Sequence, residues 1–193
     1  MALSKEKQQK LHEARRTQIL DAAIRLFDTR GYTNTKIADI SEAAGISKGL
    51  IYRYFKSKKD ILYSLIDNLN HCIEECAAKP SSREGIRLFS LRLLSYPYYE
   101  DYVPPFRVLF TAMIHDTTIA NIPNFPVDEN FGRSYFGKLF RKGQENGEFR
   151  KGDPELFGDI YWKYLLGCIA IMSPEKEGKT YLPDIDKVLT LFE

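Results

Sequence analysis

The apolar positions between residues 35 and 60 recur at helical spacing in two short runs, one on each side of a glycine. In the first run Ile37 and Ile40 lie three residues apart on one face, together with two alanines, which predicts a helix over 36–44. Gly45 follows, at a point where a helix C-terminus accepts a left-handed residue without a steric penalty. The first helix is therefore predicted to end in a tight turn.

The second run predicts a helix over 48–55 that begins at a capping serine. Ser47 can accept a hydrogen bond from a free backbone N–H of the first turn. Ile51 and Phe55 are four residues apart and share the buried face, so the polar side chains between them point outward. Two short helices joined by a glycine turn are typical of a helix-turn-helix, whose second helix enters a major groove.

The outward side chains of this second helix suit contact with DNA. Lys48 and Arg53 can donate hydrogen bonds to guanine acceptors or to phosphates. Tyr52 and Tyr54 offer hydroxyls to phosphates and ring faces to thymine methyls. Gly49 removes a side chain near the helix N-terminus, so the backbone can come close to a duplex.

Further capping signals surround the two helices. Thr35 directly precedes the first of these two helices, so it can cap that helix and present the helix N-terminus to a phosphate. Ser57 and Asp60 form a cap with an acid three residues on, which predicts the start of another helix. That helix would begin with two lysines beside the same DNA backbone.

From about residue 19 to residue 65 the chain resembles the TetR family of bacterial one-component transcription regulators. The motif is G-Y-x-x-T-x-x-x-I…A-G-I-S-K-G-x-I-Y-x-Y-F-x-S-K-x-x-I-L, with turn glycine, capping serine, aromatic pair and capped lysine in order. The resemblance implies a dimeric, ligand-released repressor of a palindromic operator. Leu50 stands where many relatives carry threonine or serine, so a contact there would be apolar. By position, the implied DNA contacts are Thr35, Lys36, Ser47, Lys48, Gly49, Leu50, Tyr52, Arg53, Tyr54 and Lys58.

The rest of the chain also reads as helices. Apolar residues at helical spacing predict a helix that precedes the helix-turn-helix and ends near residue 29. They predict further helices over 58–78, 82–96, 106–114, 128–145, 154–172 and 183–192. The predicted fold is all-α, with an N-terminal three-helix helix-turn-helix head over 1–57. A helix shared by both domains joins the head to a larger helical ligand-binding and dimerisation domain over 58–193.

The charge balance differs between the two ends of the chain. Residues 1–60 hold 13 Lys and Arg against 7 Asp and Glu, whereas the remaining 133 residues hold 15 against 19. An excess of basic residues in 1–60 suits a DNA-binding head, although a solvated charged face would show the same charge balance. Three cysteines and no secretory segment predict a reduced, cytoplasmic location. No apolar run reaches about 18 residues, so no membrane span is predicted.

Aromatic residues are concentrated between residues 96 and 140. The resemblance implies that these helices wall an inducer pocket, and an aromatic lining favours a small hydrophobic or aromatic inducer, or a flat cationic one. Alternatively, the rings simply fill the core. The predicted lining is Leu69, Tyr96, Tyr102, Phe106, Phe110, Met113, Tyr135, Leu139 and Trp162.

The helix predicted over 154–172 is apolar around nearly its whole circumference. Such a helix must be buried on two sides, so one side needs a partner. Together with the last helix, it would form a four-helix interface with a second copy of the chain. A core helix of a monomer is the alternative. The predicted dimer interface is Tyr161, Leu165, Cys168, Ile169, Met172, Leu189 and Phe192.

No catalytic constellation, cofactor motif or metal-ligand spacing is present in the sequence. Cys72 and Cys76 share one helix face and could form a redox or metal sensor. Packing of two small apolar residues is favoured, because a metal site needs three or four ligands. Two other functions remain open: a DNA-bound protein that acts through a protein partner without an inducer, and a helical binding module or enzyme without DNA binding.

Overall fold

The computed structural model describes residues 5–94, 128, 130–171 and 183–193, and the protein is all-α as predicted. The described elements are α1 (Lys5–Arg30), α2 (Ile37–Ala43), α3 (Lys48–Ile51), α4 (Lys58–Ala77), α5 (Ser82–Leu94), the π-helix π1 (Gly132–Phe136), α6 (Gly137–Glu145), α7 (Pro154–Ile171), α8 (Ile185–Leu189) and a closing 3-10 turn (Thr190–Phe192). The described residues form two compact units, the first ending at Asn68 and the second beginning at Leu69, inside α4. The helix predicted over 106–114 lies outside the described residues.

The first unit is held together by the apolar stripe of α1 and the short helices that pack on it. Ile19, Ala23 and Phe27 are buried at four-residue spacing along α1. Ile40 of α2 and Ile51 of α3 are fully buried. Full burial of one such side chain stabilises a fold by about 1.5–3 kcal/mol. These contacts determine which sides of α2 and α3 remain exposed.

The turn between α2 and α3 has the geometry that its glycine predicts. Gly45 has a φ of 63°, a left-handed conformation that costs other residues about 1–2 kcal/mol. The Ile46 N–H donates to the Ser41 carbonyl at 3.0 Å, the bond that closes a Schellman motif. Gln18 of α1 donates through Nε2 to the Ala44 carbonyl at 2.6 Å. α1 therefore fixes the end of α2 by a hydrogen bond as well as by packing.

The second unit encloses a cluster of aromatic rings. The Phe136 ring lies 5.2 Å from the Phe89 ring and 6.0 Å from the Trp162 ring, measured between centroids. Close backbone packing of α7 on π1 brings the rings together: a Cβ added at Gly158 would collide with the Gly132 carbonyl oxygen. Glycine is required at this contact because the two backbones leave no space for a side chain.

The described helices include none that is long and apolar enough to cross a membrane. Within the described ranges, no three His, Cys, Asp or Glu side chains come together as a metal-binding group. Cys72, Cys76 and Cys168 are free thiols.

Candidate DNA-binding surface

The second helix of the helix-turn-helix is capped as predicted but shorter than predicted. α3 ends at Ile51, and the Leu50 N–H donates to Ser47 Oγ at 3.2 Å. The backbone continues as a turn, in which the Phe55 N–H donates to the Ile51 carbonyl at 2.9 Å. Because Ile51 and Phe55 are both buried, they fix the rotation of α3 about its axis.

A group of residues on α3 and the following turn faces away from this buried side. Lys48, Gly49 and Arg53 are exposed, and Tyr52 is 49% exposed although it is aromatic. A Cβ added at Gly49 would meet no atom of the described residues within 4 Å, so the described fold does not itself require glycine there. We call Lys48, Gly49, Tyr52 and Arg53 the α3 ridge.

Other predicted contacts flank the α3 ridge. Leu50 and Tyr54 are half-buried, and the Tyr54 ring packs against the His12 ring of α1 with centroids 4.8 Å apart. Lys36 is exposed at the start of α2, where its N–H donates to the Asp39 carboxylate at 2.7 Å. The acid at Asp39 also suits the positive end of the helix dipole.

Thr35 has an internal role in place of the predicted cap. Its side chain is 1% exposed, and its hydroxyl donates to the Gly31 carbonyl at 2.8 Å. The N-cap of α2 is Lys36, one residue later than predicted. A phosphate cannot reach the buried hydroxyl, so the Thr35 side chain is corrected to a structural part of the loop between α1 and α2.

Lys58, also predicted as a DNA contact, directs its ammonium into the same loop. Nζ donates to the carbonyls of Tyr32, Thr33 and Thr35 at 2.6, 3.3 and 2.8 Å. It also lies 4.3 Å from the centre of the Tyr32 ring. Charge-assisted hydrogen bonds and a cation–π contact of this kind hold the loop that leads into α2.

Four of the predicted ligand-binding residues lie in the described part of the second unit. Three of them are buried: Leu69, Leu139 and Trp162. The fourth, Tyr135, stacks on the Phe131 ring with centroids 5.0 Å apart and donates its hydroxyl to the Ile73 carbonyl at 3.2 Å. Burial raises the pKa of Tyr135, so this hydroxyl remains a donor. The others, Tyr96, Tyr102, Phe106, Phe110 and Met113, lie outside the described residues.

Most of the predicted dimer residues belong to the core of the chain itself. Five are buried: Tyr161, Leu165, Ile169, Leu189 and Phe192. The Tyr161 hydroxyl shares a 2.7 Å hydrogen bond with the Ser90 hydroxyl in the interior. Cys168 is half-buried, and Met172 lies outside the described residues. The buried members of the predicted interface pack within one copy of the chain, and the interface itself stays a prediction.

A different apolar face of α7 is exposed. Leu156, Ile160 and Ile171 are 45%, 50% and 84% exposed. Together with exposed Gly167 they lie on one helix face, at spacings of four, seven and four residues. Sequence reasoning missed this face because apolar residues occur at nearly every position of α7. We call Leu156, Ile160, Gly167 and Ile171 the α7 stripe.

The capped turn, the buried stripe and the exposed ridge give the first unit the geometry of a helix-turn-helix. Residues 19–65 match the family model described as bacterial regulatory proteins, tetR family. These residues form a TetR-family helix-turn-helix domain, as the motif predicts.

Similarity to curated regulators is concentrated in this domain. The HTH-type transcriptional regulator HbdR of Aromatoleum sp. (strain CIB) is 46% identical over 66 residues, which cover 34% of this chain and 29% of HbdR. The HTH-type transcriptional regulator TtgR of Pseudomonas putida is 37% identical over 71 residues, 37% of this chain and 34% of TtgR. The matches span about a third of the length of these relatives.

Solved structures resemble the chain over most of its length. The TetR family transcriptional regulator PfmR from Thermus thermophilus has a TM-score of 0.55 at 26% identity, covering 88% of this chain and 91% of PfmR. A gamma-butyrolactone receptor (ArpA like protein) has a TM-score of 0.63 at 21% identity, covering 87% of this chain and 80% of the receptor. The second likeness concerns the fold alone.

Proposed function

We propose that this protein is a DNA-binding transcriptional regulator, a ligand-released repressor that binds a palindromic operator as a dimer. The observation that carries the proposal is the α3 ridge, which exposes cations and a tyrosine on the side opposite the buried Ile51. Lys48 and Arg53 can neutralise phosphates or pair with guanine edges, and Tyr52 adds a hydroxyl and a ring face.

The loop before α2 supports this proposal because it is held in place without DNA. Lys58 and Thr35 bond its carbonyls internally, so Lys36 and the start of α2 are presented on a fixed backbone. A preorganised surface loses less conformational entropy when it binds its partner. Lys58 would thus favour DNA binding indirectly, by positioning, and Lys36 would supply the direct phosphate contact.

The α7 stripe is the surface that we propose for dimerisation. A second copy of the chain is the occupant that fits, since two identical stripes around a two-fold axis form a self-complementary apolar contact. Gly167 is exposed within the stripe and has open space beside it, so it would let two helices approach closely at that position. Two heads related by this symmetry would read half-sites whose centres are about one helical turn, or a multiple, apart.

The proposed inducer is a small hydrophobic or aromatic molecule that binds the second unit. It would release DNA by binding more tightly to the form of the protein that has low operator affinity. Couplings of this kind typically amount to about 1–3 kcal/mol, which is a 5- to 150-fold change in affinity. The aromatic content of the second unit and the family resemblance support this part of the proposal.

A second candidate is a DNA-bound protein that acts through a protein partner without an inducer. The packing of the described aromatic rings favours it. The Phe131 ring contacts the Tyr135 ring at 5.0 Å and the Trp162 ring at 4.9 Å, so these side chains pack against one another.

Selection of duplexes from a random pool tests DNA binding directly. The wild-type protein should enrich a palindrome, and Lys48→Ala with Tyr52→Ala should lose it at unchanged helix content. Lys138→Ala with Lys151→Ala, exposed lysines of the second unit, is the matched control and should enrich the same sequence. If the wild type enriches no sequence at moderate salt, the proposed function is rejected.

A ligand test on the complex with the enriched duplex then distinguishes the ligand-released repressor from the protein that acts through a protein partner. A panel of hydrophobic and aromatic compounds is added to the complex while fluorescence anisotropy reports DNA release. Release by a compound that also raises the melting temperature of the free protein supports the repressor. Intact DNA binding with no response to any compound favours the protein partner.

A further inference from the structure

Two thiols and a guanidinium meet between α4 and α5 in the second unit. Arg92 places Nη1 3.4 Å from Cys72 Sγ and 3.9 Å from Cys76 Sγ. The same guanidinium forms a two-pronged ion pair with the Glu75 carboxylate, at 2.8 and 3.1 Å. This thiol–arginine cluster, formed by Cys72, Cys76, Glu75 and Arg92, belongs neither to the α3 ridge nor to the α7 stripe.

The two thiols of the cluster have different surroundings. Cys72 is half-buried, whereas Cys76 is 0% exposed. A hydrogen bond from the Cys76 thiol, followed by the N–H and charge of Arg92, lowers the pKa of Cys72 to about 6 against the opposing effects of burial and Glu75. The hydrogen bond to Cys72 and burial raise the pKa of Cys76. The neighbouring Tyr135 hydroxyl stays neutral because burial raises its pKa.

We propose that Cys72 is an oxidation site for hydroperoxides and that Cys76 resolves the product into a disulfide within α4. In the first step the Cys72 thiolate attacks one peroxide oxygen, the O–O bond breaks, and the leaving alkoxide or hydroxide takes a proton from water. Sulfur is oxidised to a sulfenic acid and the peroxide is reduced to an alcohol or water. In the second step the Cys76 sulfur attacks the sulfenic sulfur, the S–S bond forms, and hydroxide leaves with the thiol proton as water.

The positions of the two residues fit this order of events. Of the two thiols, only Cys72 is accessible to a small peroxide, so it reacts first, and the enclosed Cys76 meets the sulfenic acid formed beside it. Residues four apart in a helix are separated by about 6 Å along the axis. This separation lies within the range of about 4.4–6.8 Å that disulfides span between Cα atoms. The interpretation of the pair as packing residues accounts for Cys76, and the ion pair with Glu75 accounts for the position of Arg92, but neither accounts for the 3.4 Å contact between Nη1 and the half-buried Cys72 sulfur.

The first test is the pH dependence of thiol alkylation in the full-length Cys168→Ser protein. Iodoacetamide reaction at Cys72, followed by peptide mass spectrometry, should reach a plateau near pH 7, because the thiolate is then nearly fully formed. Arg92→Gln should move the midpoint upward and slow the reaction at pH 6 by about tenfold. Arg87→Gln is the matched control on the same helix, where Arg87 pairs with Asp186. A wild-type rate that keeps rising about tenfold per pH unit up to pH 8.5 overturns the proposal.

The second test follows oxidation by hydrogen peroxide and by tert-butyl hydroperoxide. The wild-type protein should form a Cys72–Cys76 disulfide, and Cys76→Ala should instead carry a dimedone adduct on Cys72. If Cys76→Ala does not fold, the wild-type peptide map decides: the disulfide supports the proposal and its absence overturns it. Oxidation of Cys72 no faster than that of Cys168 in the wild type also overturns it. Neither readout depends on DNA binding, so failure here leaves the proposed function standing.

Discussion

Replacement of Lys58 by methionine distinguishes a positioning lysine from a phosphate contact. The Lys58 ammonium donates to the Tyr32, Thr33 and Thr35 carbonyls at 2.6, 3.3 and 2.8 Å. Methionine keeps an unbranched side chain of similar length but cannot donate to those carbonyls. The perturbation therefore acts on the loop between α1 and α2 in the free protein.

The size of the effect follows from these bonds. A hydrogen bond to a charged group contributes about 1.5–3 kcal/mol net, and neighbouring bonds are not additive. Lys58 is half-buried and its Thr33 bond is long, so water can replace part of what is lost. We expect the free energy of unfolding to fall by about 2–3 kcal/mol, which lowers the Tm of a chain of this size by about 4–12 °C.

Thermal and urea unfolding, followed by circular dichroism without DNA, measure this loss. Lys59→Met is the matched control, since Lys59 is the adjacent and more exposed lysine of α4, and its stability should change by less than about 0.5 kcal/mol. The reasoning is refuted if Lys58→Met unfolds like the wild type while its affinity for a selected duplex falls and becomes less dependent on salt. That result would make Lys58 a phosphate contact.

Three further predictions concern the second unit. Gly158→Ala should lower the unfolding free energy by about 1–3 kcal/mol in urea titrations, because the added methyl group collides with backbone; unchanged stability would contradict the close packing of α7 on π1. Ile160→Glu should yield monomers in size-exclusion chromatography with light scattering, whereas Glu155→Gln, an exposed position on another face of the same helix, should not; a dimeric Ile160→Glu would exclude the α7 stripe as the interface. Arg87 holds the pKa of Asp186 below its usual value, so the ionised form stabilises the fold. Asp186→Asn should therefore be less stable than the wild type at pH 7, and the difference should narrow as the pH falls from about 4 through the lowered pKa of Asp186, where the folded wild-type carboxylate becomes protonated. A difference that is constant with pH would refute this role.

Helix ends were predictable because their causes are local. Gly31, Gly45 and Gly147 follow predicted helices, and each has a φ between 63° and 79°. Ser47 caps α3 with its own hydroxyl, as its position before an apolar turn predicts. Both kinds of signal depend on a few consecutive residues, so they do not depend on how the rest of the chain packs.

Side-chain roles that depend on distant backbone were not predictable in the same way. Lys58 follows a capping serine and looks like a surface cation, yet its partners are carbonyls 23 to 26 residues earlier in the chain. Thr35 likewise bonds the carbonyl of Gly31, and this bond exists only because the loop turns back on itself. The sequence contains these residues but not the path of the loop that brings them together.

The faces of α7 were ambiguous for a different reason. Its apolar residues surround the helix, so periodicity predicts two buried sides without saying which of them faces the core. In the structure Tyr161 and Leu165 are buried in the core, whereas Leu156 and Ile160 remain exposed. Small differences in fit, such as the backbone contact at Gly158, decide between faces that hydrophobicity alone treats as equal.

The most direct measurement is the affinity of the protein for its selected duplex as a function of salt concentration. The logarithm of the affinity should fall linearly with the logarithm of the salt concentration, with a slope of about −0.9 for each neutralised phosphate. Lys48→Ala with Arg53→Ala should weaken binding and flatten this slope, while Lys138→Ala with Lys151→Ala should leave both unchanged. Wild-type affinity and slope in the Lys48→Ala, Arg53→Ala protein would contradict the assignment of the α3 ridge as the surface that contacts DNA.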